Sequence, residues 1–521
     1  LVPPESKAVL PSRSKQAAVA FATIGGILLL GLLHLKYPFT GDQALFALGA
    51  QRMQEGAVLY RDFWDLKQPG IFVFFFLAER LAGLSVDGIH VIELIYLLAF
   101  CIVLQLTLRR YYRFWWTASI VPLLVVGLYY ANAQPIYLTQ VESLAGFPIY
   151  VSLYLVLRGS SEPRYGVLWY SLAGLAGAVA LSLKLLFLPL LLAIWITAIV
   201  SCGWSLTQNE RLRLYRSAAA LPAFLLAGTA AWLIPTVRAS GTRLVYDTFV
   251  AYPLYISSHF ARAPFRRLSD SFAGYAAGMP AVLALGALSL WRARLWRNPL
   301  FASSIAWLCA GALVILMQRQ SWWSYQFQLL DVPVGILAAF GIERVVDRGV
   351  MQRWGSVRSA AALSALFVLV AAPTIWNVSH AIRAVTQASG GGSESQYTLD
   401  RLLLPGDQAY SETRFLIRRG ARTGDIYVCG DPRFYLLAHR MPALSISGWS
   451  LEFLVPAQWT SLTRQLEDRK PPYVFVSWYY ALLIKARAPQ FASVLLAQYQ
   501  TLRHDATGDW YIQTSLSRRT K

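Results

Sequence analysis

Runs of about 20 apolar residues recur along this chain, parted by short connections that hold much of its Lys and Arg. A backbone in hydrocarbon must satisfy its own polar groups, and helices do so within one segment. The runs cover roughly 17–35, 88–107, 117–134, 141–157, 167–183, 185–203, 217–237, 272–290, 299–317, 325–342 and 359–376. The pattern predicts a polytopic α-helical membrane protein with about 11 transmembrane helices. Of the 521 residues only 14% are charged and 56% are hydrophobic. A soluble chain carries roughly a quarter charged residues, so a soluble fold is excluded.

One further apolar segment, 71–84, is short for a span and carries Glu79 and Arg80. The charges decide its fate. Basic connections occur at Lys7/Arg13/Lys15, Arg109/Arg110/Arg113, Arg158/Arg164, Arg211/Arg213/Arg216, Arg292/Arg294/Arg297 and Arg344/Arg348/Arg353/Arg358. If 71–84 crosses, later connections clash with the N-terminus. If it lies along the outer interface, all six share the cytoplasmic side. The expectation is a multi-pass protein with its N-terminus cytoplasmic and its C-terminus outside. The first run lacks a small-residue cleavage site and reads as a retained span. The net charge of +20 then reports topology and attraction to lipid headgroups. No basic, aromatic-interleaved soluble module is present, which argues against nucleic acid. Cys101, Cys202 and Cys309 lie in apolar runs and only Cys429 in a polar one. No disulfide framework or zinc site follows from that distribution.

Four regions are expected: a membrane catalytic domain, 1–376; within it a first outer loop, 36–87, with interfacial helices; a linker, 377–396, marked by Gly390-Gly391-Gly392-Ser393; and an outer domain, 397–521. In the last, β-like runs at 425–429, 473–478 and 510–514 alternate with helical stretches at 456–467 and 490–499, as in a small α/β domain. No internal repeat is apparent, which counts against a transporter.

The chemistry concentrates where the chain leaves the first span. Asp42 follows Thr40-Gly41, and Lys67-Gln68-Pro69-Gly70 comes about 25 residues later. An acid and a lysine at a membrane boundary suit a base that takes a hydroxyl proton beside a cation that holds a phosphate. The plainer alternatives are a helix cap for Asp42 and a snorkelling lysine for Lys67. Asp62 and Asp65 read as loop acids. Gln140 and Glu142 stand where an outer loop enters a span, and Lys184 in a tight outer turn, where a charge needs a partner. Arg262, Arg266 and Arg267, with Tyr252 and Tyr255 upstream, form a basic outer loop suited to phosphate or lipid headgroups. Gln318 to Gln326 holds amides, an arginine, Trp322, Trp323 and Tyr325. That is the composition of a sugar-binding lip and equally of an interfacial aromatic belt.

These residues resemble the GT-C superfamily of membrane glycosyltransferases, in particular bacterial relatives of protein O-mannosyltransferases and of the aminoarabinose transferase of lipid A. The likeness rests on Gly41-Asp42, Gly56-Ala57-Val58-Leu59-Tyr60-Arg61-Asp62, Lys67-Gln68-Pro69-Gly70, the Gly-rich stretch 174–184 and the aromatic stretch 322–333. In the tail it rests on Gly424-Asp425-Ile426-Tyr427-Val428 and Tyr473-Val474-Phe475-Val476. The chain departs from the family at Gln43, where O-mannosyltransferases pair Asp with Glu, at Gln68, which replaces a proline, and at Ser324, where many relatives have histidine. The resemblance implies a GT-C fold in a bacterial inner membrane, a periplasmic tail, a polyprenyl-phosphate-linked sugar donor, and inverting transfer to a glycan, lipid or protein acceptor. It implies Asp42 as the catalytic base and Lys67, with Lys184, Arg262 and Arg266, as donor-phosphate ligands. Gln68, Gln140, Glu142, Tyr252, Trp322, Trp323, Tyr325 and Gln326 are the expected substrate contacts. No cofactor is required, and a divalent metal is compatible with these residues. The competing expectation is a transporter or flippase of a lipid-linked saccharide, which would use the same surface without a base.

Overall fold

The computed structural model describes residues 13–204, 206–291, 293–346, 356–388, 393–406, 408–418 and 424–517. The chain opens with helix α1 (Arg13–Leu33), followed by two short helices, α2 (Gly41–Gln54) and α3 (Pro69–Ala82), and by α4 (Val86–Leu108). Among the described residues, seven helices are long and apolar enough to cross a membrane. They are Ser14–Leu33, Val86–Tyr111, Val141–Ser161, Pro163–Leu183, Leu185–Gly203, Gln208–Ser240 and Pro299–Met317. Each coincides with an expected run.

The other expected runs differ. Residues 117–134 form a shorter apolar helix, Thr117–Ala131, and 325–342 begins as a 3₁₀ turn before the helix Asp331–Val346. Residues 272–290 are not one straight span: Phe265–Gly278 and Pro280–Ser289 meet at 90°. The cause is local. Met279 leaves helical geometry (φ −144°, ψ 46°) and Pro280 has no N–H to continue the ladder. Residues 359–376 lie within the long helix Ser356–Gln387. That helix also takes in 377–387, expected as linker, and Ser393–Leu403 is helical too. Of the expected basic connections, Lys7, Arg292, Arg348 and Arg353 lie outside the described residues, as do Gly390, Gly391 and Gly392.

The chain divides into two compact units. The first comprises Leu1–Lys36, His90–Ala230 and Ala263–Thr386. Its helices are stitched by polar contacts inside the apolar packing. Trp195 donates its indole N–H to Ser152 Oγ at 2.9 Å, and Ser152 donates to the Ala173 carbonyl at 2.8 Å, linking three helices. Interhelical bonds of this kind hold where lipid gives apolar faces no reason to associate. A core of Met279, Leu285, Trp322, Phe327, Leu330 and Val334 packs beneath the aromatic connection 318–330.

The second unit comprises Tyr37–Ile89, Ala231–Arg262 and Gln387–Lys521. The first outer loop, expected to belong with residues 1–376, therefore packs with the tail. Helices α2 and α3 join through Phe46, whose ring meets Phe72 and Phe75 edge-on at 5.6 and 5.5 Å. The tail then holds this pair. Trp64 donates its backbone N–H to the Ser445 carbonyl at 2.7 Å, and Arg52 reaches Asp425 at 3.3 Å. The tail's sheet has strands β1 (Tyr427–Cys429), β2 (Tyr473–Ser477), β3 (Tyr499–His504) and β4 (Gly508–Gln513) in the order β1-β2-β4-β3. β1 and β2 are parallel, and β4 runs antiparallel to β2 and β3. The small α/β tail is thus observed, with β3 added to the expected strands.

Candidate active site

Helix α2 starts with a cap in which Thr40, not Asp42, holds the N-cap position. Gln43 Oε1 accepts the Thr40 backbone N–H at 2.8 Å and its hydroxyl at 3.2 Å. Asp42 lies on the first turn. Its Oδ2 faces the Lys67 ammonium at 2.9 Å, and its Oδ1 accepts the Trp449 indole N–H at 2.9 Å. The acid is 13% exposed and the lysine 25%, so the pair is recessed yet reachable.

Lys67 is aimed by the segment before α3. Pro69 occupies the first helical turn, which fixes the helix start two residues after the lysine. Buried Tyr60, in a left-handed conformation (φ 71°), donates its hydroxyl to the Lys67 carbonyl at 2.8 Å. Asp65 accepts the Lys67 backbone N–H at 2.7 Å. Burial pushes the Asp65 carboxyl above the ordinary carboxylate range, and the Asp42 charge adds to the push against the Lys67 ammonium. Asp62, the other nearby acid, ties exposed Arg61 and the Val58 N–H into the loop. Gln68 stands at the N-cap position of α3 without capping it through its side chain.

Trp449 was not legible as a site residue. It comes from the tail, in the turn Gly448-Trp449-Ser450, and the indole lies against Gly41. Gly41 has φ +27°, and a Cβ there would sit 2.5 Å from a Trp449 ring carbon, so only glycine admits the ring. Behind the indole stands a second acid. Tyr480 takes the Ser450 N–H at 3.0 Å and donates to Glu452 at 3.0 Å. Burial first, and then the Asp42 charge, raise the Glu452 carboxyl above its usual range.

The first unit contains its own polar cluster. Lys184 breaks the chain between two helices in an extended conformation, as its tight-turn reading implied. Its ammonium lies 2.6 Å from Glu142 and 2.6 Å from Gln318 Oε1. Gln326 donates to Gln318 and to Ser321, each at 3.1 Å. Four helix ends and one connection thus bring together Glu142, Lys184, Gln318 and Gln326. Gln140 stands apart: it is buried and gives its amide to the Ile136 carbonyl at 2.9 Å.

The aromatic connection divides. Trp322 is buried in a left-handed conformation (φ 46°), while Trp323 carries the Arg267 guanidinium over its ring at 4.6 Å. Tyr325 lies in the 3₁₀ turn Ser324–Leu330. Among the described residues, the buried Trp322 Nε1 and Gln326 Oε1 have no hydrogen-bond partner, and such atoms are costly unless a ligand or water meets them. In the second unit Tyr252 packs edge-on against Trp64 at 6.1 Å. Arg262 is exposed, and in the first unit Arg266 is exposed with Asp270 at 3.6 Å. Neither arginine joins the clusters above.

In chemical terms the second unit presents a carboxylate whose two oxygens have unlike donors, one a lysine ammonium and one a neutral indole. A cation that can transfer to an incoming phosphate frees the carboxylate oxygen it leaves.

Solved structures resemble this chain in fold. ArnT from Cupriavidus metallidurans, bound to undecaprenyl phosphate, superposes with a TM-score of 0.62 at 14% identity, covering 96% of this chain and 98% of that one. Its apo state gives 0.59 over the same shares. The oligosaccharyltransferase of Archaeoglobus fulgidus, tethered to an acceptor peptide containing the NVT sequon, gives 0.51 at 12% identity, covering 97% of this chain and 75% of that one. No family model and no curated protein matches the sequence. At these identities the likeness is one of fold alone.

Proposed function

We propose that the protein is an inverting glycosyltransferase that moves a sugar from a polyprenyl-phosphate-linked donor to a hydroxyl of a cell-envelope glycan, lipid or protein. The observation that carries this reading is the Asp42–Lys67 pair at 2.9 Å, partly buried, with Thr40 rather than Asp42 at the N-cap of its helix. The GT-C fold supports it, as does the undecaprenyl phosphate bound by ArnT from Cupriavidus metallidurans.

In the proposed reaction the acceptor oxygen attacks the anomeric carbon from the face opposite the phosphate. The new C–O bond forms as the anomeric C–O bond to phosphate breaks, and the phosphate keeps the electron pair. The hydroxyl proton passes to Asp42. Lys67 transfers from Asp42 to the phosphate and stabilises its growing charge. Phosphate is a good leaving group, so one carboxylate suffices, where glycoside hydrolysis needs two. Lys184 is the further candidate for a phosphate contact, in competition with Glu142 and Gln318. Trp322 and Gln326 are candidates for polar substrate groups, through the buried atoms that lack partners.

The proposal includes an inner-membrane location, eleven crossings, a cytoplasmic N-terminus and a periplasmic tail. Thiol labelling of single cysteines placed in 36–87 and in the tail of intact cells tests that sidedness. The activity is tested by offering purified protein a panel of synthetic polyprenyl-phosphate sugars. Transfer or hydrolysis from one donor, lost in Asp42→Asn, is the expected result. Turnover undiminished in that variant removes Asp42 from the role of base.

A further inference from the structure

The two oxygens of Asp42 are held in different ways. Lys67 sits on a flexible stem, and an incoming anion can draw its ammonium off. Trp449 cannot swing so freely, because its backbone is clamped on both sides. Gly448 has φ +84°, and a Cβ there would lie 1.9 Å from the Val428 carbonyl of β1. Ser450 is left-handed (φ 56°), and its N–H is taken by Tyr480 at 3.0 Å. Tyr480 is in turn bonded to Glu452, whose carbonyl accepts Arg487 at 2.6 Å. The indole ring then lies against Gly41, with its N–H on Asp42 Oδ1. A rigid turn of the sheet domain thus ends in one hydrogen bond to the carboxylate of the first loop.

We propose that Trp449 is a positioning residue for the transfer reaction, fixing the Asp42 carboxylate so that Oδ2, the oxygen paired with Lys67, takes the acceptor's proton. This rests on the transferase reading above. As Lys67 moves toward the phosphate, a carboxylate held less firmly rotates about its terminal bond and spends time misaligned. The indole N–H removes that freedom without supplying a competing charge. The tail domain accordingly takes part in the chemistry through one atom.

The test compares Trp449→Phe, which keeps a ring over Gly41 and loses the N–H, with Trp449→His, which keeps a ring N–H. Each is assayed for transfer from the active donor and for thermal unfolding in detergent. Trp449→Phe is expected to lower kcat about tenfold to a hundredfold, the range for a hydrogen bond to a charged group. Donor KM stays within about twofold and the melting temperature is unchanged, since a purely structural role would move both. Trp449→His recovers part of the loss. Tyr480→Phe, which touches neither Asp42 nor Lys67, loosens the turn and gives a smaller fall in kcat. An undiminished kcat in Trp449→Phe overturns the inference, as does a fall accompanied by a lower melting temperature and a higher KM. If the wild type moves sugar from no donor in the panel, the transferase reading fails and this inference falls with it. If the wild type is active and Trp449→Phe matches it, only the role of Trp449 is lost.

Discussion

Each compact unit contains an acid–lysine pair, and the two pairs are set up differently. In Asp42–Lys67 both side chains retain exposure, 13% and 25%, and the second donor to the acid is a neutral indole. In Glu142–Lys184 the acid is 2% exposed, and the second partner, Gln318, accepts from the lysine. In the first arrangement the lysine is the more exposed member and also lies over the Phe46 ring at 5.2 Å. The second saturates the lysine and buries its counter-charge, which joins helix ends that lipid alone would not hold together. Ion pairs at similar distance can therefore differ in exposure and in their further partners, and the proposed roles of the two lysines turn on that difference.

That contrast can be broken by experiment. Asp42→Asn is expected to have the largest effect, a fall of about a thousandfold in transfer, within the range for losing a general base. The melting temperature should stay near that of wild type. Glu142→Gln should do the reverse: destabilisation of about 3 kcal/mol, because a buried charge loses its partner, read by thermal unfolding. Tighter donor binding in Glu142→Gln, with stability intact, would show Lys184 to be a phosphate ligand and erase the distinction. Lys67→Met should weaken binding of the lipid phosphate about tenfold, roughly the low end for a charge-assisted contact, measured by displacement of a labelled donor.

The smallest effect concerns pH. The folded-state pKa of Glu452 lies above its ordinary 4.5. As pH rises from there the unfolded chain loses its proton first, so the folded state is progressively penalised until its own pKa is passed. Glu452→Gln should therefore melt at the same temperature as wild type near pH 4 and higher than wild type at neutral pH. Repeating the scan in Asp42→Asn should narrow the gap, since the Asp42 charge contributes to the shift. Asp65 is shifted in the same direction, partly by the Asp42 charge, so the gap is read between chains with and without Glu452→Gln within each background.

Hydropathy made the long helices legible, because burial in hydrocarbon leaves a continuous signature. It passed over the bend at Met279-Pro280, since one proline shifts the average of a long apolar run too little to mark the missing N–H. The linker reading of 377–396 followed glycines and overlooked a helix that continues to Gln387. In the site, Asp42 and Lys67 could be read from their spacing and from the proline that follows the lysine. From sequence the cap is open between Thr40 and Asp42, and Thr40 holds it. Trp449 could not be read, because its partner is 407 positions away and its own neighbourhood looks like an ordinary Gly/Ser turn. A lone tryptophan in such a turn, with small residues on both sides, was the one available hint.

The contact between Gly41 and the Trp449 ring makes two distant codons a single heritable unit. A methyl group at 41 has no room while the indole stays, so a Gly41→Ala chain would displace the ring. Revertants selected from such a chain should carry second changes at 449 toward smaller side chains, and few elsewhere. Homologous chains built on the same plan would then change the two positions together or leave both alone.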